Sequence, residues 1–172
     1  MDVRYPIGTF QIEGEMNSEV ISEWIMEIEA LPGLLKEAVK GLDENQLNTP
    51  YRSDGWTVRQ VIHHLADSHM NAYIRLKLAL TEDSPVVKTY DETKWAELAD
   101  YQFSVGSSLM LLEGLHARWA ALLRNSSPAD LKKTFTHPEL GEVLIHNNIG
   151  MYAWHGRHHL AHITSLCGRK GW

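Results

Sequence analysis

The chain of 172 residues holds a single cysteine and three phenylalanines. One cysteine, Cys167, excludes an internal disulfide framework and fits a reducing compartment. Positive charge is also scarce. Sixteen Lys and Arg stand against 22 Asp and Glu, for a formal charge of −6. Such a surface has no basic field to hold a phosphate backbone, which argues against nucleic acid as a partner. No stretch approaches the ~18 apolar residues of a membrane span. The opening "MDVRYPIGTFQIEGEM" lacks a basic segment followed by an apolar run. The sequence therefore reads as a cytoplasmic protein without a membrane partner. Its length suits one domain over residues 1–172, with residues 1–16 as an extended arm.

Helical spacing dominates what is present. In "NSEVISEWIMEIEALPGLLKEAVKGL", Ile21, Trp24, Ile25, Ile28, Leu31 and Leu35 recur on one face. Asn17 or Ser18 can cap it, and Pro32 with Gly33 predicts a kink or a break. "DENQLNTPYRSDG" reads as a polar connector. "WTVRQVIHHLADSHMNAYIRLKLAL" is the clearest helix, with Thr57 and Gln60 at capping-box spacing. A long connection follows, with one short helix expected near Trp95. A third helix carries Leu112 and Trp119, and "TFTHPELGEVLI" predicts a small hairpin. The last helix runs through "HNNIGMYAWHGRHHLAHITSLCGR". Four substantial helices with little strand imply an all-α four-helix bundle. The long connection between its second and third helices predicts a crossover there.

Histidine is abundant: ten occur in the chain, four of them in "WHGRHHLAH". Two i, i+4 pairs are available, His155 with His159 and His158 with His162. At about 100° per residue, His155 and His159 share the face of Tyr152, Ile163 and Leu166. His162 lies at the margin of that face. His158 is expected against a neighbouring helix edge or in solvent. The Glu of a protease-type H-E-x-x-H is missing, since Gly156, Arg157 and His158 intervene. Two imidazoles need a third ligand from another helix to hold a metal. The second helix offers His63, His64 and His69. His63 is expected to point away from the core, and periodicity leaves His64 and His69 open.

Taken together, "YPIG", "TPYRSDGWTVRQVIHHLADSHMNAYIRLKLALTE" and "YAWHGRHHLAHI" closely resemble the YfiT branch of the DinB-like superfamily. The resemblance covers nearly the whole chain, its final "GW" included. It implies a DinB-like bundle with one divalent metal per chain and a homodimer. Residue by residue, it implies His64, His155 and His159 as the ligands. His162 becomes a possible pocket group. Zn²⁺ is the expected metal, with Ni²⁺ as the alternative.

The metal would activate a nucleophile for a small-molecule substrate. The first expectation is a thiol S-transferase using bacillithiol, as relatives resemble. The second is a hydrolase using metal-bound hydroxide. A metal-stabilised stress-response module without catalysis is a third, disfavoured by the lack of a fourth protein ligand. Asp67 could orient an imidazole. Arg157 and Arg52 could meet an anionic substrate. Cys167 is expected to be small and buried, about 18 Å along the helix from His155.

Overall fold

The computed structural model describes residues 2–12 and 17–172. The part of the expected arm at residues 13–16 lies outside the described residues. Helix α1 spans Ser18–Ala38, and the Asn17 side chain accepts from the Val20 N–H at its start. It passes through Pro32 without the break that was one of the two expected outcomes. The connector that follows carries a short helix α2, Glu44–Leu47, closed by a capping box between Asp43 and Gln46. Helix α3, Val58–Thr81, begins at the Thr57–Gln60 capping box. Helix α4, Glu92–Trp95, and a 3₁₀ turn, Ala99–Gln102, punctuate the long connection. Helix α5 runs Val105–Arg124, and strands β1, Thr134–His137, and β2, Gly141–Leu144, pair as an antiparallel hairpin. Helix α6, Ile145–Lys170, closes the chain on Gly171 in the left-handed conformation.

Helices α1, α3, α5 and α6 form the bundle. Helix α1 packs on α5 and α6, and α3 packs on the same two. So α1 and α3, consecutive along the bundle, stand at opposite corners, as do α5 and α6. The chain crosses the bundle diagonally before α3 and again before α6. The long 82–104 connection, by contrast, joins helices that pack directly. Its length serves to cover the outer side of α3: Arg59 and His63 both reach its Phe103 carbonyl.

Apolar residues form two clusters rather than one core. The first gathers Ile25, Ile28, Leu76, Trp119, Phe135 and Ile149. The second gathers Leu35, Val61, Ile62, Leu112, Ile163 and Leu166. On each long helix the chain passes from one cluster to the other. At that boundary α3 places His64 and His69, α5 places His116, and α6 places His155 and His159. A layer of imidazoles thus divides the interior. Among the described residues, no helix is long and apolar enough to cross a membrane.

Candidate metal centre

One ring nitrogen from each of His64, His155 and His159 lies within 4.8 Å of the others. Helix α3 contributes the first and α6 the other two, one turn apart on its inner face. Nε2 of His64 stands 3.3 Å from Nε2 of His155. Two nitrogens bound at about 2.0–2.1 Å to a tetrahedral zinc would stand roughly 3.3–3.4 Å apart. Among the described residues, no carboxylate oxygen joins the cluster. His64 and His159 are buried and His155 half-buried. Burial pushes the His64 imidazole down to about 4. Burial, then the neighbouring imidazoles, holds His155 and His159 well below the usual histidine range. All three rings are therefore neutral near pH 7 and keep a lone pair for a cation. Nδ1 of His64 and of His159 is buried without a hydrogen-bond partner among the described residues.

His155 differs from the other two. Its Nδ1 lies 3.1 Å from His69 Nε2, and His69 Nδ1 lies 2.9 Å from His116 Nε2. His116 Nδ1 meets the backbone carbonyl of Ile28. His69 is fully enclosed, with its ring nearly parallel to that of His116 at 4.9 Å between centres and met edge-on by Trp119 and Tyr152. It touches the cluster through His155 and is not one of the three convergent groups. Sequence reasoning passed over His116. Its signal was position: it stands between Leu112 and Trp119 on the buried face of α5, where a histidine needs a partner.

The remaining candidates occupy other roles. His158 is buried rather than solvent-facing, stacked on Trp154 and covered by Tyr5 of the arm. His162 is buried under the same arm, donating from Nε2 to the Arg4 carbonyl at 3.2 Å and stacking on Tyr51. A helical wheel cannot see such cover, because it comes from a segment distant in sequence. His63 is buried beneath the 82–104 connection on the outer side of α3: it accepts from Ser108 Oγ and donates to the Phe103 carbonyl. Asp67 accepts from the Tyr101 hydroxyl at 2.7 Å, and among the described residues it bonds no imidazole. Arg157 is exposed and pairs with Glu27 at 3.0 Å. Arg52 bonds the Ser53 carbonyl and lies over the Tyr51 ring. Cys167 is half-buried rather than enclosed.

A groove of about 370 Å³ contains none of the three clustered histidines and is lined in part by Asp91, Glu92 and Glu139. Ser68, one turn beyond His64, and Tyr152, one turn before His155, form its inner wall together with Arg75. The Tyr152 ring stands 5.6 Å from that of His155. Arg75 is buried and donates to the Lys88 carbonyl at 2.9 Å. Its Nε has no partner among the described residues. A larger groove, about 660 Å³, lies between the start of α1 and the end of α5 and contains none of the clustered histidines.

The chain is similar to proteins of known family over its full length. A protein of Oceanobacillus iheyensis, named "Putative metal-dependent hydrolase OB0782", is 64% identical over 172 residues, 100% of both chains. A Bacillus mycoides protein carrying the same description is 58% identical over 171 residues, 99% of both. YfiT from Bacillus subtilis, described as "a probable metal-dependent hydrolase with an unusual four-helix bundle topology", superposes with a TM-score of 0.96. It is 47% identical, covering 100% of this chain and 99% of that one. The four-helix bundle protein TT2238, at 23% identity and a TM-score of 0.58, shares the fold, covering 81% of this chain and 94% of its own. The profile of the DinB superfamily matches residues 27–163, from the middle of α1 to the inner face of α6, and the chain belongs to that superfamily.

Proposed function

We propose that His64, His155 and His159 hold one divalent cation, zinc by preference or nickel, in an enzyme that activates a low-molecular-weight thiol against a small electrophile. The observation that carries this reading is a convergent cluster of imidazoles alone, with no carboxylate among the described residues. Three neutral ligands leave a divalent cation its full charge and an open position, which lowers the pKa of a thiol or a water that reaches it. A hydrolase would profit from a protein carboxylate to take the proton from water. A thiol gives up its proton more readily and needs that help less. Bacillithiol is the co-substrate that the family resemblance implies.

The protein groups supply position. Trp56 walls the cluster, 4.6 Å from the His64 ring centre and stacked at 6.5 Å on His159. The groove at Ser68, Arg75 and Tyr152 is the nearest candidate to receive the small molecule, since the Tyr152 ring stands 5.6 Å from that of His155. Hydrolysis is the second reading, supported by the descriptions that the relatives carry.

Metal analysis of the purified protein should find about one divalent ion per chain. The double substitution His155→Ala with His159→Ala should remove it. Zinc-loaded protein should consume bacillithiol with a bimane electrophile. Ester or amide cleavage that needs metal but no thiol would instead establish the hydrolase.

A further inference from the structure

We infer that His69 and His116 are positioning residues that fix His155 in one tautomer, with its proton on Nδ1 and its lone pair on Nε2 facing His64. The inference rests on the metal-site reading above. Its starting point is Pro32, which lies inside α1. In an α-helix the N–H of residue 32 would bond the carbonyl of Ile28. Proline has no N–H, so that carbonyl is left without its helical donor. His116 Nδ1 fills the vacancy.

The direction of every bond in the chain then follows from that oxygen. A carbonyl only accepts, so His116 Nδ1 carries the hydrogen. A neutral imidazole has one N–H, which leaves His116 Nε2 as an acceptor. It faces His69 Nδ1 at 2.9 Å, so His69 donates from Nδ1. His69 Nε2 is then the acceptor, facing His155 Nδ1 at 3.1 Å. His155 donates from Nδ1, and its Nε2 is bare, 3.3 Å from His64 Nε2. A second proton on His116 or His69 would set donor against donor at the next contact. The relay threads all four long helices, from α1 through α5 and α3 to α6. Each ring is fixed on both sides by partners from other helices.

The arrangement does two things for a metal ligand. It removes the cost of choosing the ligating tautomer, and it holds the ring plane where the lone pair meets the other two donors. Among the described residues, His64 and His159 have no such support at Nδ1. His155 is thus the anchored ligand, and the other two adapt to it. The relay ends on a backbone oxygen, which cannot take up a proton, so it orients and does not conduct.

Two measurements test this, and the first needs neither metal nor variant. Long-range ¹H–¹⁵N spectra of the metal-free protein distinguish the two tautomers of each histidine. His116, His69 and His155 should all carry the proton on Nδ1. A proton on Nε2 of any of the three overturns the inference, whatever the metal result. The second measurement is zinc affinity by chelator competition. His69→Leu and His116→Leu should each weaken it about 10- to 100-fold. His69→Gln, which can accept from His155 through Oε1 and donate to His116 through Nε2, should stay within a few-fold of the natural protein. Natural-strength zinc binding in a folded His69→Leu would overturn the positioning role. If the natural protein binds no zinc or nickel, the metal reading fails, while the tautomer spectra still decide the relay.

Discussion

The indole of Trp24 lies flat against the backbone of Gly150, where α1 meets α6. A Cβ at residue 150 would fall 2.7 Å from Trp24 Cη2 and 2.8 Å from Cζ3. The ring is rigid and cannot fold away from an added methyl group. Gly150→Ala should therefore destabilise the protein by about 1–2 kcal/mol, because overpacking outweighs the roughly 1 kcal/mol that alanine gains in helix propensity. Gly33 and Gly114 provide the contrast. Both are exposed within helices, and a Cβ at either meets nothing within 4 Å. Gly33→Ala and Gly114→Ala should each raise the unfolding free energy by up to about 1 kcal/mol. Urea titrations of the three variants read the opposite signs directly.

Arg59 ties two segments, α2 with its cap and the end of the 82–104 connection, to the start of α3. It is buried, with Nε on Asn48 Oδ1 at 3.0 Å, Nη1 on the Phe103 carbonyl at 2.7 Å and Nη2 paired with Glu44. Glu44 is exposed, at 78% of its side chain, so water screens its share of the pair. Glu44→Gln should cost less than about 1 kcal/mol. Arg59→Lys keeps the charge but cannot present the three-way fork. It should cost about 1–2 kcal/mol, because one ammonium cannot replace the guanidinium's bonds to Asn48, Phe103 and Glu44 together. Equal losses in the two variants would show that charge, not the fork, is what matters.

Much of this fold is legible in the sequence where local rules decide. The Thr57–Gln60 box starts α3, Asn17 caps α1, and the 3.6-residue period sets His155 and His159 on one face of α6. What escapes is anything that depends on two distant segments meeting. The burial of His158 and His162 is imposed by the arm, and that of His63 by the 82–104 connection. The diagonal placement of α1 and α3 leaves no local trace, because it follows from how whole helix faces share partners. Pro32 was legible as a helix disturbance but not as the release of the Ile28 carbonyl for His116, 88 positions beyond Ile28.

Acid should unfold the metal-free protein well before the carboxylates titrate. Burial lowers His116 from 6.5 to about 4, with the Ile28 carbonyl opposing. Burial likewise lowers His64 and His158 to about 4. As pH falls from 6.5 toward 4, the unfolded chain binds protons that the folded one excludes, so stability falls through that window. A histidine kept neutral in this way contributes about 2 kcal/mol of loss at pH 5 relative to neutral pH. Thermal melts in chelator should show the midpoint dropping steeply between pH 6.5 and 4.5. His116→Leu lowers the midpoint at every pH, but its slope against pH should be shallower by one proton. An unchanged slope would mean that His116 titrates normally in the fold.

Pro32→Ala separates the stability of α1 from the support of the metal ligand. Alanine is better than proline in a helix interior by about 3 kcal/mol, and it restores a donor for the Ile28 carbonyl. The variant should be at least as stable as the natural protein. The carbonyl then serves two donors, the new N–H and His116 Nδ1, and the bond to each is weaker. The ¹⁵N–¹H signal of His116 should shift toward weaker hydrogen bonding. Zinc affinity should fall, by less than the roughly 10-fold or greater loss expected when His116 is removed. Stability and affinity would then move in opposite directions, which a general loosening of the bundle cannot produce. A more stable variant with natural zinc affinity and an unshifted His116 signal would show that the carbonyl accommodates both donors, and that the proline is not needed for the relay.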